Sequence, residues 1–288
     1  MNKKRFACAV VVAFLAAVIV LPAPARAVEV KIKLYGGYGY LVGGDLNSGT
    51  EGMANMWLDM FSLLGASQSG SFQPAHYGLQ YGGDLIFMFN PIIGIGLGVE
   101  SLGAKQNSTI ISHLGSQEIT TSLKAEASAV PIKASLYLCA PLGTGARMNL
   151  HFGVGYYLAK MSNLFRLEQG AEFIQYANSA DAKAIGFHGG LGFEFDLAPH
   201  VSLFIEVQGR YAKLGGFEGE AVMSVSSDSV SEKGVLYYFE AEGFISQFYS
   251  TILVQDAVPV ADSSTKNIRE AKIDFSGGTA LGGIVFRF

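Results

Sequence analysis

Eight charged side chains set among apolar segments are the residues of this chain that could do chemistry. The acids are Asp84, Glu100, Glu194 and Glu206, and the bases are Lys31, Lys133, Arg210 and Arg287. Acids and bases that meet in a protein interior hold one another as ion pairs, or they pass protons and ions along a path. A structural ion-pair network is the favoured interpretation, and a proton or ion path is the alternative.

The histidines form no metal or catalytic motif. They are His76, His113, His151, His188 and His200. None has the spacing to another that a metal site requires, and we expect His151 and His188 to be hydrogen-bonded interior side chains. No Ser-His-Asp order can be assembled from the sequence alone. We therefore predict no catalytic residues, no metal ligands and no enzyme activity.

Two glycine patterns have the spacing of nucleotide-binding loops but lack their context. Gly94, Gly96 and Gly98 alternate within one apolar segment, with no helix opening after them, whereas a dinucleotide-binding loop leads into a helix. Gly98 and Gly103 have the spacing of a P-loop, but Ala104 stands where that motif needs lysine. The sequence therefore predicts no cofactor.

The charged residues lie on segments in which residue type alternates with a period of two. Eight such segments span residues 28–40, 76–89, 92–102, 120–139, 147–160, 182–197, 201–212 and 272–288. In most of them one face is large and apolar, and the other is small, polar or charged. Because successive side chains of a strand point to opposite faces, the sequence predicts eight β-strands.

The polar face of these strands is rich in glycine and poor in the lysine and glutamate that a soluble sandwich shows to water. A narrow barrel lumen needs such small side chains. A lysine or arginine turned toward lipid near the bilayer midplane would cost about 2–4 kcal/mol, so the charges are expected inside. We predict a lumen charge network of Asp84, Glu100, Lys133, Glu194, Glu206, Arg210 and Arg287.

Connection length alternates along the chain. The connections at residues 90–91, 140–146 and 198–200 are short, whereas those at 41–75, 103–119, 161–181 and 213–271 are long. Short turns at one end and long loops at the other are typical of barrels that cross an outer membrane with the turns in the periplasm. The prediction is an all-β, antiparallel, up-and-down transmembrane β-barrel with long extracellular loops.

Three local patterns refine this prediction. The fourth segment carries charges and then apolar residues on one face, which indicates a bulge near residues 129–131 or a charged part above the bilayer. Residues 217–225 and 235–242 could form a hairpin above the membrane, and a ten-stranded barrel is the alternative to eight. Residues in the first loop recur at helical spacing and predict a short helix on the barrel rim: Met53, Met56, Trp57, Met60, Phe61 and Leu64.

The first residues have the layout of a cleaved secretory signal. Three bases at positions 3–5 precede an uncharged apolar stretch, prolines and the small-residue site at 25–27. We predict that residues 1–27 are removed and that residues 28–288 form the barrel domain. Cys139 is then the remaining cysteine, so no intrachain disulfide is expected. The mature chain has 16 Lys and Arg against 24 Asp and Glu, a net charge of −8, which argues against a nucleic-acid partner.

The last strand ends in the residues Gly283 to Phe288, with Ile284, Phe286 and Phe288 on one face and Arg287 on the other. With the signal and the alternation of strands and loops, this ending resembles the small outer-membrane β-barrel superfamily that includes OmpA-type transmembrane domains, OmpX and OmpW. The resemblance implies location in the cell outer membrane, contact with its lipid, and recognition of Gly283, Phe286 and Phe288 by the barrel-assembly machinery. A periplasmic peptidoglycan-binding domain is not expected.

Two functions follow from the resemblance. The favoured one is a structural or surface-interaction barrel with a side-chain-filled lumen, acting through its extracellular loops. The alternative, suggested by OmpW-like members, is a narrow channel for small apolar or other small molecules. A lipid-modifying enzyme would be a third possibility, but no residue supports it. The sequence names no surface ligand and no oligomeric state.

Overall fold

The computed structural model describes residues 28–288, so the predicted signal at residues 1–27 lies outside the described residues. The strands in chain order are β1 (Glu29–Tyr40), β2 (Gly43–Gly44), β3 (Ser67–Ser69), β4 (Tyr77–Met88), β5 (Ile93–Leu114), β6 (Gln117–Gly143), β7 (Ala146–Gln169), β8 (Glu172–Ala198), β9 (Val201–Tyr211), β10 (Lys213–Leu214), β11 (Glu218–Val225), β12 (Asp228–Glu242), β13 (Phe248–Gln255), β14 (Thr265–Glu270), β15 (Ile273–Asp274) and β16 (Gly277–Arg287). One helix, α1 (Asp45–Leu63), follows β2. Within the described residues, no helix is long and apolar enough to cross a membrane.

Eight strands close into a ring by antiparallel pairing in the order β1, β4, β5, β6, β7, β8, β9 and β16. The ring closes between the first and last strands, where Lys31 lies opposite Arg287 and Gly39 opposite Thr279. Around the ring, these eight strands follow one another in the same order as along the chain, as an up-and-down barrel requires. The prediction of an eight-stranded antiparallel barrel is confirmed, because the ring of the described residues closes with eight strands and not with the ten of the alternative.

The three predicted short turns are confirmed, but two of the predicted long loops are wrong. Residues 103–119 and 161–181 are mostly strand, interrupted only by the turns at 115–116 and 170–171. Strands β5 to β8 are 22 to 27 residues long, whereas a bilayer needs about 9–11 residues. These strands therefore continue well beyond the membrane as a curved wall.

The predicted bulge in β6 is also wrong. Val99 lies opposite Ile132 and Leu102 opposite Ala129, so the register of β5 and β6 is the same on both sides of the proline. On its other edge Pro131 keeps its place opposite Tyr157 of β7. The strand accepts proline without a shift in register, which favours the alternative that the charged part of this strand stands above the bilayer.

The wall formed by the upper halves of β5 to β8 is completed by elements from the last long connection. Strand β8 pairs with β9 in its lower part and with β11 in its upper part, and the sheet continues from β11 through β12 to β13. Strand β14 pairs with the edge of β12 opposite β13, beyond the start of β11. A hairpin of β11 and β12 is present, with Val225 opposite Asp228. Its second arm differs from the prediction, because β11 pairs with residues 228–235, whereas residues 235–242 pair with β13. We call residues 41–76, 102–129, 159–184 and 212–276 the cap.

Helix α1 is confirmed, but its position and its buried face differ from the prediction. It packs inside the cap against β13, β6 and β7 and not on the barrel rim. Gly43 and Gly44 have φ values of 78° and 61°, a conformation that favours glycine and turns the chain into the helix. A Cβ on Gly52 would lie 2.1 Å from the carbonyl oxygen of Ser250, so this glycine permits the helix to cover the edge of β13.

The cap encloses an apolar core above the lumen. Its fully buried side chains include Leu46, Tyr157, Leu214, Phe217, Leu236, Ile252, Ile273 and Phe275, with alanines from β6, β7 and β8. A second cluster joins Met53, Ala54 and Leu58 of α1 to Ile110, Leu123 and Phe165. The barrel therefore ends below a packed apolar domain.

Candidate functional site

The outer wall of the barrel is an apolar band. Its exposed side chains include Leu79, Leu97, Ile132, Phe187, Ile205 and Val207. Tyrosines gather toward the cap end of this band, where Tyr38 and Tyr77 stack with ring centroids 6.1 Å apart. An apolar belt edged by aromatic rings is the surface that a transmembrane barrel presents to lipid.

The structure places all seven predicted charged residues in the lumen. Their exposed fractions are between 1% and 7%: Asp84, Glu100, Lys133, Glu194, Glu206, Arg210 and Arg287. Lys31 lies there as well, and so do several polar residues that were not predicted. Within the described residues, these side chains form three tiers along the barrel axis.

The lowest tier surrounds Glu194, near the short turns. Arg287 donates to Glu194 Oε1 from Nη2 at 2.8 Å, and it also contacts Asp196 and Ser202. Arg147 bridges the same two carboxylates, with 3.3 Å to Glu194 and 3.2 Å to Asp196. Two guanidinium groups therefore neutralise two carboxylates at this end.

The middle tier contains two ion pairs. Lys33 Nζ lies 2.6 Å from Glu206 Oε2, and the other oxygen of that carboxylate lies 3.0 Å from His151 Nε2. Lys133 Nζ lies 2.9 Å from Glu100 Oε2 and 3.5 Å from Asp84 Oδ1. Both lysines are thereby satisfied inside the barrel.

Two tyrosines connect the ion pairs of the middle tier. Tyr35 accepts from Lys133 at 2.7 Å and donates to Glu100 at 3.2 Å. Tyr137 donates to Asp84 Oδ2 at 2.8 Å and stacks on the ring of His151. Large aromatic rings thus fill the space between charges, which leaves little room for water.

The uppermost tier is built on Arg210. Its guanidinium donates to Gln80 Oε1 at 2.7 Å, Thr279 Oγ1 at 2.9 Å and the carbonyl oxygen of Phe275 at 2.8 Å. These acceptors are neutral, in contrast to the carboxylates below. Directly above them begins the apolar core of the cap, to which Phe275 belongs.

The pairing inside the lumen differs from what neighbouring strands alone would suggest. Glu206 and Arg287 face the same lumen, but Glu206 lies opposite Leu281 in the register of β9 and β16. Glu206 therefore contacts Lys33, while Arg287 contacts Glu194. Lys33 was not predicted, although it lies two residues after Lys31 and so shares its face.

His151 and His188 both lie in the lumen, with ring centroids 5.8 Å apart. His188 Nε2 lies 2.8 Å from Ser135 Oγ. Between the lowest and middle tiers, a cavity of ≈ 20 Å³ is lined by Lys31, Cys139 and Asn149 among others. Such a volume suits about one water molecule, so the interior there is nearly filled.

The three residues predicted to be read during assembly lie on the closing strand. Phe286 is half-buried and Phe288 is 72% exposed, while Gly283 lies against the backbone of Leu34. The amide of Phe288 donates to the carbonyl of Val30 at 2.9 Å. The phenylalanines face outward, on the lipid side of the barrel, and their role in assembly stays a prediction.

Polar contacts near both ends of α1 help to hold it to the rest of the cap. Asp45, in its first turn, accepts from Arg269 Nη2 at 2.8 Å, and this bond raises the pKa of the Arg269 guanidinium. Tyr249 of β13 donates to Asp59 at 2.6 Å. Burial and the bond to this carboxylate raise the pKa of Tyr249 to about 12.

Several known proteins resemble the chain. A family model described as outer membrane protein beta-barrel domain matches residues 11–236. A search of curated protein sequences finds no match. Among solved structures, OprG from Pseudomonas aeruginosa is 12% identical, with 91% of this chain and 97% of that chain covered and a TM-score of 0.36. The protease OmpT from Escherichia coli is 9% identical, with 91% and 96% covered and a TM-score of 0.30.

The family model spans more than half of the chain, and the closed ring of strands with its apolar outer wall has the architecture that the family description names. The protein is therefore placed in the cell outer membrane. It belongs to the outer membrane protein beta-barrel domain family.

Proposed function

We propose that this protein is a non-enzymatic outer-membrane barrel with a side-chain-filled lumen, and that it acts through contacts between its cap and molecules outside the cell. The observation that carries the proposal is the sequence of three polar tiers followed by an apolar core. An eight-stranded barrel has an interior just wide enough for side chains, and here large buried ones occupy it. A continuous water path would have to break buried ion pairs.

The chemistry of the interior supports a structural role. The lumen acids Asp84, Glu100, Glu194 and Glu206 each contact a lysine, arginine, histidine or tyrosine. Within residues 28–288, no group of three or more histidine, cysteine or acidic residues is placed to hold a metal ion. Charges that are held in this way stabilise a barrel and do not supply a free nucleophile or base.

The proposed partners follow from the two outer surfaces. The apolar wall contacts membrane lipid, and the outward phenylalanines of β16 are the surface that the barrel-assembly machinery would recognise during insertion. The cap reaches farthest from the membrane, so it is the part that meets other molecules. Surface-exposed segments on a rigid scaffold commonly carry binding function.

Planar-bilayer recording tests the closed lumen. We expect the purified protein to give no large, stable conductance steps when a general porin inserted under the same conditions gives them. Porin-like steps from the protein would overturn the proposal and favour the channel alternative. Small, infrequent conductance events would not contradict the closed lumen if their conductance is the same in the Tyr157→Ala variant. A path through the centre of the barrel should widen, and its conductance should rise, when this ring is removed.

A further inference from the structure

An apolar patch lies on the surface of the cap, where the end of α1 meets the turn between β12 and β13. It consists of Trp57, Met60, Leu63, Leu64, Phe244 and Ile245. Leu63, Leu64 and Phe244 are 67%, 59% and 56% exposed. The rings of Trp57 and Phe244 lie 5.5 Å apart, so the helix and the turn form one surface. A cluster of large exposed apolar residues marks an interaction site.

The turn itself is built to show apolar side chains to the outside. Gly243 donates to the carbonyl of Gln247 at 2.8 Å, which places Phe244 and Ile245 at the tip. Ser246 has a φ of 56°, an uncommon conformation for a residue with a side chain. Turn tips usually carry glycine, asparagine, aspartate or serine. The turn therefore presents two hydrophobic side chains where polar residues are usual, which adds them to the apolar surface of the helix end.

The surroundings of the patch are acidic. A groove of ≈ 480 Å³ runs between α1 and β13, and its lining includes Glu51 and Asp59 but no lysine or arginine. Lys266 stands at the groove margin, where its Nζ lies 3.4 Å from the centre of the Phe248 ring and 3.8 Å from Glu240. An ammonium group held by an aromatic ring and a carboxylate is thus already present beside the groove.

The net charge of the protein also differs between the barrel and the cap. The barrel, residues 28–288 without the cap, has six Lys and Arg against six Asp and Glu, a net charge of zero. The cap has ten against eighteen, a net charge of −8. The acidic excess of the chain therefore lies entirely in the part that meets the outside, where it attracts cations and repels anions.

We propose that this patch and its acidic groove bind a cationic amphipathic peptide segment, with apolar side chains on Phe244 and Trp57 and basic side chains beside Glu51 and Asp59. The inference rests on the proposed surface-interaction role and names the partner chemistry. Methionine and aromatic residues suit such a surface because they adapt to varied apolar side chains. The acidic rim selects the sign of the partner's charge.

The single tryptophan of the chain lies in the patch and reports on binding. The protein is placed, one copy per particle, in nanodiscs of zwitterionic lipid. It is titrated with a tryptophan-free amphipathic peptide of lysine and leucine, and separately with the matched peptide of glutamate and leucine. We expect the basic peptide to shift Trp57 emission to the blue and the acidic peptide to leave it unchanged. Empty nanodiscs and free tryptophan serve as blanks.

Variants locate the binding. Phe244→Ser should weaken binding of the basic peptide about tenfold or more, as loss of a central aromatic contact does, and Glu51→Gln should weaken it about threefold, as expected for a rim charge. Val230→Ser, an exposed position on β12 outside the patch, should change nothing. Equal shifts with both peptides, no shift with either, or full binding by Phe244→Ser would overturn the inference.

A concentration-dependent shift of Trp57 without peptide, in detergent, would assign the patch to a second copy of this chain and would also overturn the inference. Failure here is distinct from failure of the closed lumen. If the barrel conducts and still binds the basic peptide, only the closed lumen is contradicted. If the barrel is closed and does not bind the peptide, only the inference about the patch is contradicted.

Discussion

The barrel and the cap use the same strands with opposite polarity. In the lower half of β6, Lys133 points inward and Ile132 points outward to lipid; in the upper half, Ala127 is buried inside and Glu126 faces outward. The register does not change between the two halves. The same alternation of polar and apolar residues therefore gives a polar interior with an apolar outer face in the barrel, and an apolar interior with a polar outer face in the cap. Lipid around the barrel and water around the cap decide which orientation is stable.

The next two strands around the barrel, β7 and β8, change polarity at the same height. On β7 the exposed side chains change from Leu158 to Lys160, and on β8 from Ile185 to Lys183. Lys160 lies opposite Asp181 of β8. These positions mark the upper limit of the lipid-facing band. Within the described residues, the buried charges therefore lie in the barrel, whereas the interior above the membrane is mostly apolar, with uncharged polar residues such as Asn163 and Asn178.

The largest effect is expected from removing one charge of the barrel interior. Glu206→Leu leaves Lys33 and His151 buried without their carboxylate, which should cost about 3–5 kcal/mol of the free energy of unfolding. Unfolding in urea, in lipid vesicles, measures this loss.

The double variant Lys33→Met with Glu206→Leu is the matched control, because it removes both charges and replaces them with apolar groups. It should recover most of the lost stability. Equal stability of the single variant and the wild type would show that the lumen has water to solvate Lys33, and the account of a dry, side-chain-filled lumen would fail.

A smaller effect, confined to the cap, is expected from Gly52→Ala. The added Cβ would collide with the carbonyl of Ser250 and should weaken the packing of α1 on β13 by about 1–3 kcal/mol. Hydrogen exchange should speed up in β13 and stay unchanged in β9 and β16. Asn55→Ala, on the exposed face of α1, is the control and should change little. Faster exchange throughout the barrel would contradict the separation of the two regions.

The smallest effect concerns the hydrogen bond between Tyr249 and Asp59. Tyr249→Phe should cost about 1 kcal/mol of cap stability at pH 8. The folded state raises the pKa of Tyr249 to about 12 from its ordinary value of 10.0, so the contribution is complete below pH 10 and is lost as the pH rises toward 12. Hydrogen-exchange stability of the wild type and the variant should therefore converge over this range. A constant difference would contradict the assigned bond.

The barrel could be predicted because its two faces differ strongly, whereas in the cap only the helix, a hairpin and part of β6 could be predicted. Large apolar side chains alternate with glycine in the lower strands, but above the membrane the inward residues of β8 include Asn178 and Ala180, which carry little hydrophobic signal. The buried face of α1 includes Gly49 and Gly52, which hydrophobic spacing cannot reveal. The upper parts of β5, β7 and β8 were therefore predicted as loops, whereas residues 120–129 of β6 were predicted as strand.

Which residues enter the lumen followed from parity, but which residues pair did not. Stagger between strands decides the pairing, and it brings Glu206 to Lys33 and Arg287 to Glu194. Lys33 could have been found from its two-residue spacing to Lys31. The tyrosines Tyr35 and Tyr137 could not, because an inward aromatic residue has the same apolar character as an outward one.

Cysteine accessibility in β6 tests the change of polarity and the closed interior most directly. In a Cys139→Ser background, single cysteines replace Ala127, Ser128, Ile132 and Ser135, and each variant is treated with a water-soluble maleimide in intact membranes. We predict fast labelling at 128, labelling at 132 by a lipid-soluble reagent alone, and strong protection at 127 and 135. Labelling at 135 as fast as at 128 would show a water-filled lumen and contradict the account.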